Sequence, residues 1–257
     1  MAIEPFLIPG VKLLWDMVKS TGEKIKDFAT AAQAYRNYAQ KYKSRYGWLK
    51  LLGMLKPVTL DSVYTAVRFL DKLSILQYES LGNIEEIYRE SPNRRFEQGE
   101  RRNEDGIQVA TSHQYLMVLG GPGSGKTTYL RKIGLEALKE QNNPFKPACL
   151  PVLLELKRFR SDDVNLIQAI AEELEVLGFP ASDKIATNAL KQGKLLILLD
   201  GLDEVPQDNY NAVSDAIDKL VTQYENNRFI ASQSEKGKPP QNVGKISKNL
   251  TTPPPKN

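Results

Sequence analysis

The chain has 257 residues, of which 41% are apolar, so it can form one large domain or two small ones around a packed core. Its 35 basic and 31 acidic side chains are scattered, and a net charge of +4 gives no indication of nucleic-acid binding. The single cysteine, Cys149, excludes an internal disulfide and favours a reducing, cytoplasmic location, and no apolar run is long enough to span a membrane.

Residues 1–80 are predicted to form a mainly helical N-terminal region. Apolar side chains recur at helical spacing in residues 11–46, and Gly47 is a helix stop signal. A stripe of this kind is more often a packing face than a groove for a partner, so we expect its side chains to be buried. The stripe in the second half of the segment consists of Phe28, Ala31, Tyr35, Ala39, Tyr42 and Tyr46.

Two polar stretches are predicted to flank the rest of the chain. Residues 81–109 mix acidic and basic side chains with Pro92, Gly99 and Gly106, which is typical of a solvated linker. Residues 235–257 contain prolines and lysines with hardly any apolar side chain. Such a stretch cannot bury enough surface to order itself, so we expect a disordered tail.

Between them, residues 110–234 alternate apolar strands with amphipathic helices, and this alternation predicts a parallel α/β sheet. The predicted strands cover residues 115–119, 151–156, 195–199 and the stretch that starts at 228. The third is apolar throughout, as a strand buried on both faces should be. Helix N-caps are predicted at Asp162, Ser182 and Asp208.

A glycine-rich loop follows the first of these strands and precedes a helix. It fits the phosphate-loop pattern G-x-x-x-x-G-K-[ST], also called Walker A, and this context makes an accidental glycine-rich turn improbable. Main-chain amides and the helix N-terminus are expected to surround phosphate oxygens, with Lys126 at the β- and γ-phosphates and Thr127 as a Mg²⁺ ligand. The loop comprises Gly120, Gly121, Pro122, Gly123, Ser124, Gly125, Lys126, Thr127 and Thr128.

A second chemical signal, the Walker B pattern, ends the third strand. Asp200 lies at the carboxyl end of that strand, where an acid beside a phosphate loop holds Mg²⁺ through its water shell. Either Glu204 or Asp203 would orient or deprotonate the attacking water. The two signals together predict Mg²⁺-dependent binding and hydrolysis of ATP or GTP, with Lys126, Asp203 and Glu204 in catalytic roles.

Residues 120–128, followed by Leu-Ile-Leu-Leu-Asp-Gly-Leu-Asp-Glu at 196–204, resemble the NACHT NTPase domain of the STAND signalling class. The resemblance implies a P-loop NTPase α/β fold, with a parallel sheet and flanking helices, preceded by a mainly helical N-terminal domain. Residues 42–47 and 63–64 also resemble the helical segment before NACHT domains of bacterial, especially cyanobacterial, proteins. Such proteins are nucleotide-controlled switches that often self-associate and act in phage defence or regulated cell death.

The chain departs from the family pattern at the fourth strand. The family places an arginine that senses the γ-phosphate at the end of that strand, whereas no arginine follows Arg228 here. The family also has a winged-helix histidine on the bound diphosphate and a fifth strand beside the phosphate-loop strand, and nothing after Ser234 matches either. We therefore expect weak hydrolysis and a NACHT domain truncated after the fourth strand.

Three other functions share part of this pattern. A non-enzymatic adaptor would join other NACHT proteins through the front helices. A nucleoside or small-molecule kinase also uses a phosphate loop but does not need the pair Asp203 and Glu204. A Ras-type GTPase would carry an Asn-Lys-x-Asp motif, which the sequence lacks. ATP is therefore favoured, while GTP stays open.

Overall fold

The computed structural model describes residues 9–19, 28–49, 56–64, 68–69, 104–161, 163–179 and 183–234. The helices are α1 (Pro9–Lys19), α2 (Phe28–Tyr46), α3 (Leu60–Val63), α4 (Gly106–Ser112), α5 (Lys126–Ala137), α6 (Leu166–Val176), α7 (Asp183–Lys191) and α8 (Gln207–Gln223). The strands are β1 (Trp48–Leu49), β2 (Val58–Thr59), β3 (Arg68–Phe69), β4 (Glu104–Asp105), β5 (Tyr115–Leu119), β6 (Leu150–Glu155), β7 (Leu195–Asp200) and β8 (Arg228–Gln233). Short 3₁₀ turns cover Leu156–Arg158 and Leu202–Glu204.

Strands β5 to β8 form a four-stranded sheet in the order β5-β8-β7-β6, and every neighbouring pair is parallel. This confirms the predicted α/β class, with helices packed on the sheet. All six residues of β7 are buried, which explains the unbroken apolar run in its sequence. Because the strands are parallel, their carboxyl ends meet at one edge of the sheet, where the phosphate loop and Asp200 lie.

Two helix starts differ from the sequence expectation. Helix α6 begins at Leu166, and its cap is Asn165, whose side chain accepts a hydrogen bond from the Gln168 amide. The cap of α6 is therefore not the predicted Asp162, which, like the predicted cap Ser182, lies outside the described residues. Helix α8 begins at Gln207 after Pro206, so Asp208 lies in the first turn and not at the cap. A carboxylate there still stabilises the helix through the dipole.

Part of the predicted linker has regular structure. Strand β4 pairs with β3 in an antiparallel ribbon, and helix α4 follows it directly. The Asp105 carboxylate caps α4 by accepting hydrogen bonds from the amides of Ile107 and Gln108. The other residues of the predicted linker and the predicted tail lie outside the described ranges, and the proposed domain boundaries stay a prediction.

The aromatic stripe of α2 packs against the α/β part of the chain, which confirms that it is a packing face. The Tyr38 hydroxyl donates to the carbonyl of Pro151 on β6, and the Tyr46 hydroxyl donates to the buried carboxylate of Glu173 on α6. The periodicity missed Tyr38, which is fully buried. The buried tyrosines of α2 are Tyr35, Tyr38, Tyr42 and Tyr46.

Close contact between α2 and α5 depends on Gly134, in the middle of α5. A Cβ atom at this position would clash with the ring and hydroxyl of Tyr42. Tyr42 is fully buried, so its ring has no free space into which it could move.

Gly134→Ala is therefore expected to destabilise the protein by about 1–3 kcal/mol, the usual cost of overpacking a core. An unopposed Gly→Ala change inside a helix stabilises by about 0.5–1 kcal/mol, so the sign itself is informative. Urea unfolding of the wild type and the variant measures it. Adding Tyr42→Phe should recover part of the loss, and a Gly134→Ala protein more stable than the wild type would contradict the packing described.

Two further findings concern the cysteine and the question of a membrane-spanning helix. Cys149 is buried, as expected for a structural thiol, and burial raises the pKa of its thiol to about 12. Within the described ranges, no helix has both the length and the apolar composition needed to cross a lipid bilayer.

Candidate nucleotide-binding site

The phosphate loop connects the end of β5 to the start of α5. Gly125 precedes α5 with φ of +87°, a left-handed conformation that favours glycine and that turns the chain into the helix. The first intrahelical bond runs from the Tyr129 amide to the Gly125 carbonyl at 2.8 Å. Amides of the first helical turn lack intrahelical acceptors, so this terminus attracts anions.

Lys126 folds back over its own loop. Its Nζ atom donates to the carbonyl of Gly120 at 2.8 Å and to that of Gly121 at 3.2 Å. An ammonium group has three donors, so these two bonds leave capacity for a phosphate oxygen. The side chain is thus held above the loop, where an anion bound by the amides would lie.

Asp200 ends β7 and is buried, with 8% of its surface exposed. Its Oδ1 atom accepts a hydrogen bond from the Ser232 hydroxyl at 2.7 Å, and that hydroxyl accepts one from the Gly201 amide at 2.9 Å. Ser232 lies on β8, next to β7, and it fixes the orientation of the carboxylate. Sequence reasoning missed this serine, because only the strand pairing reveals that β8 lies beside Asp200.

Asp203 and Glu204 lie in the 3₁₀ turn that follows β7, and they differ in their contacts. The Asp203 Oδ1 atom accepts a hydrogen bond from the Ser234 amide at 2.8 Å, so this carboxylate ties the turn to the end of β8. Both residues are exposed at the surface of the cleft.

A cleft of about 400 Å³ brings the two sequence signals together. Three of the predicted loop residues, Gly120, Gly121 and Ser124, do not line this cleft. The carbonyls of Gly120 and Gly121 accept hydrogen bonds from Lys126. Ser124 is exposed, and its amide donates to the Gly121 carbonyl. The lining residues are Pro122, Gly123, Gly125, Lys126, Thr127, Thr128, Asp200, Gly201, Asp203, Glu204, Ser232 and Ser234.

The residues present fit a nucleotide with Mg²⁺. Thr127 and Asp200 line the same cleft, and a threonine hydroxyl and a carboxylate are the oxygen donors that Mg²⁺ uses beside phosphates and water. The buried Ser234 hydroxyl also lines the cleft and, within the described structure, has no hydrogen-bond partner. An orphaned hydroxyl of this kind is typical of a position that a ligand or water completes.

In the part of the chain that the structure describes, no group of three or more His, Cys, Asp or Glu side chains is arranged to hold a metal ion. Mg²⁺ is commonly held by one or two protein oxygens together with substrate phosphates.

The family model described as the NACHT domain matches residues 114–248, more than half of the chain. This chain belongs to the NACHT-domain family. The matched residues include the phosphate loop, the acids that follow β7 and all of β8, so the cleft lies within the NACHT domain. Nucleotide binding and NTPase chemistry are the properties that this membership supports.

No curated protein matches the chain closely enough to count as a relative. One similar solved structure is that of PCH-2 from C. elegans, with 14% sequence identity and a TM-score of 0.34. The alignment covers 57% of this chain and 38% of that one, so the chain spans well under half the length of PCH-2. A likeness of this degree carries no argument about function.

Proposed function

We propose that this NACHT protein binds ATP with Mg²⁺ and hydrolyses it slowly, as the nucleotide-switch module of a STAND-class signalling or defence protein located in the cytoplasm. The observation that supports this most directly is the single cleft lined by both Lys126 and Asp200. GTP is the alternative nucleotide, and the absence of a guanine-reading motif in the sequence favours ATP.

In this proposal the loop amides and Lys126 bind the β- and γ-phosphates, while Thr127 and Asp200 hold the cation. When bound, Mg²⁺ would neutralise charge that develops on the phosphate oxygens. Ser232 keeps the Asp200 carboxylate in place, and its bond to Oδ1 still leaves acceptor capacity for metal-bound water.

Glu204 is the residue we assign to the attacking water. Asp203 already accepts the Ser234 amide, so using it as a base would weaken the link between the turn and β8. Glu204 would accept a proton from water as the water oxygen bonds the γ-phosphorus. The bond from that phosphorus to the β–γ bridging oxygen then breaks, which yields a diphosphate and inorganic phosphate.

Turnover is expected to be slow because β8 brings no arginine to the γ-phosphate. The polar groups at the end of β8 donate hydrogen bonds to the acids instead. The Ser232 hydroxyl donates to Asp200, and the Ser234 amide donates to Asp203. In related phosphoryl-transfer enzymes an added arginine accelerates hydrolysis by about 10³–10⁵-fold.

Glu204→Gln is expected to lower steady-state ATP hydrolysis by about 10²-fold or more, the usual contribution of a general base. Mg²⁺-ATP affinity should change little, because in this proposal Glu204 would contact the attacking water and not the phosphates. Release of inorganic phosphate and calorimetric titration measure the two quantities. Asp203→Asn is the matched control, and equal losses of turnover in both variants would contradict the assignment of Glu204.

The switch role is supported by the position of α2. This helix packs against α5, the helix that begins at the phosphate loop, and against β6 and α6. A nucleotide-dependent shift of α5 would therefore reach the N-terminal region. Self-association or binding to other NACHT proteins belongs to the same proposal, through surfaces other than the buried tyrosine face of α2.

A further inference from the structure

Lys157 lies at the same edge of the sheet as the site acids, one strand further along. It occupies the 3₁₀ turn Leu156–Arg158 that directly follows β6. At the end of the β6–β7 pair, Glu155 lies opposite Asp200 in the register. The turn that carries Lys157 contacts the turn Leu202–Glu204, which carries the other acids.

The present partner of Lys157 holds it weakly. Its Nζ atom lies 3.0 Å from Glu155 Oε2, and the two side chains are 54% and 39% exposed. An ion pair this exposed contributes little to stability, so the long lysine side chain can leave it easily. Glu155 also has a second cation, because its Oε1 atom lies 3.9 Å from Arg131 on α5.

The electrostatic surroundings of Lys157 extend to the site. Its pKa is raised chiefly by the hydrogen bond and charge of Glu155, and then by the charges of Glu204 and Asp200. Its ammonium group therefore lies in the field of the carboxylates that line the cleft. A triphosphate placed there adds further negative charge, which would draw an adjacent flexible cation.

We propose that Lys157 binds the γ-phosphate: it leaves Glu155 when a triphosphate occupies the cleft and supplies the positive charge that the end of β8 lacks. This inference rests on the proposed function, and it adds a residue that distinguishes triphosphate from diphosphate. Arg131 stays beside Glu155 and keeps that carboxylate paired after Lys157 has moved.

Calorimetric titration of the full chain with Mg²⁺-ATP and Mg²⁺-ADP tests this. Lys157→Ala is expected to weaken ATP binding by about tenfold, the effect of losing a charge-assisted hydrogen bond, while ADP binding stays unchanged. Lys157→Arg, which keeps the positive charge, should retain most of the preference for ATP over ADP. The matched control is Arg158→Ala, which removes the same charge from the same turn but from a residue paired with Glu172 on α6.

A double-mutant cycle separates the lysine from general electrostatics. Glu155→Gln frees Lys157 and should strengthen ATP binding several-fold, in the direction opposite to Lys157→Ala. In the Lys157→Ala background the same change should have a much smaller effect. An undiminished gain would mean that Glu155 acts on the nucleotide directly, which would overturn the proposed exchange.

The inference and the proposed function fail in different ways. A wild-type protein that binds neither nucleotide would refute the proposed function. A wild-type protein that binds both, with a Lys157→Ala variant that keeps the ATP preference or loses ATP and ADP affinity equally, would refute the role of Lys157 alone.

Discussion

Lys126→Ala is expected to weaken Mg²⁺-ATP binding by about 10- to 150-fold, since a hydrogen bond to a charged group contributes about 1.5–3 kcal/mol. The ammonium group is held over the loop by two carbonyls, so it needs no large movement to reach a phosphate at the helix N-terminus. Isothermal titration calorimetry measures the affinity directly.

The matched control is Lys191→Ala. Lys191 is exposed in the last turn of α7, just before β7 begins, and so belongs to the opposite edge of the sheet. This variant should bind Mg²⁺-ATP like the wild type. Urea unfolding of both variants tests whether the fold survives, and unchanged ATP affinity in a folded Lys126→Ala protein would contradict the assignment of the loop.

Tyr38→Ala is expected to destabilise the protein by about 3–5 kcal/mol, the range for truncating a large buried aromatic residue. Tyr38 is fully buried, its ring meets Phe179 edge-on at 6.0 Å, and its hydroxyl satisfies the Pro151 carbonyl. The substitution also removes the hydrogen bond that joins α2 to strand β6. Equilibrium unfolding in urea gives the free-energy difference.

Two conservative changes on the same helix face sharpen this prediction. Tyr38→Phe leaves a buried carbonyl without its donor and should cost about 1–3 kcal/mol. Tyr42→Phe should be neutral or stabilising, because within the described structure the buried Tyr42 hydroxyl has no hydrogen-bond partner. Equal costs for the two changes would contradict the bonding described for α2.

Local sequence signals predicted the strands, their parallel sheet and the meeting of the loop and the acids at one cleft. These succeeded because each strand is a short apolar run and because parallel strands end at the same edge. The placement of Ser232 on Asp200 could not be predicted, since it depends on β8 lying beside β7. The link between Asp203 and Ser234 depends on the same pairing.

The errors have two different origins. Asp162 and Asp208 are good capping residues, but the helices start where Asn165 and Pro206 place the chain relative to the sheet. Tertiary packing determined the helix starts, and residue type alone does not reveal it. Tyr38 lies three residues after Tyr35 and four before Tyr42, so it fits the helical spacing, and the predicted stripe was too narrow.

The position of Lys157, like that of Ser232, could not be predicted from the sequence. In sequence it is one of three basic residues in a surface stretch, and nothing local distinguishes it from Arg158 or Arg160. Only the pairing of β6 with β7 brings it beside the acids of the site. Residues placed by strand order and not by motif are therefore where the structure adds most to the interpretation of this NACHT domain.

The central claim is that the phosphate loop and the acids after β7 bind one Mg²⁺-triphosphate together, and thermal melting of the wild-type chain tests it most directly. At about 100 times the dissociation constant, a ligand specific for the folded state stabilises by about 2.7 kcal/mol, which raises the midpoint by several degrees. We predict this rise with Mg²⁺ and ATP together, and a much smaller one with ATP in the presence of a chelator. An unchanged midpoint with saturating Mg²⁺-ATP and Mg²⁺-GTP would contradict the account.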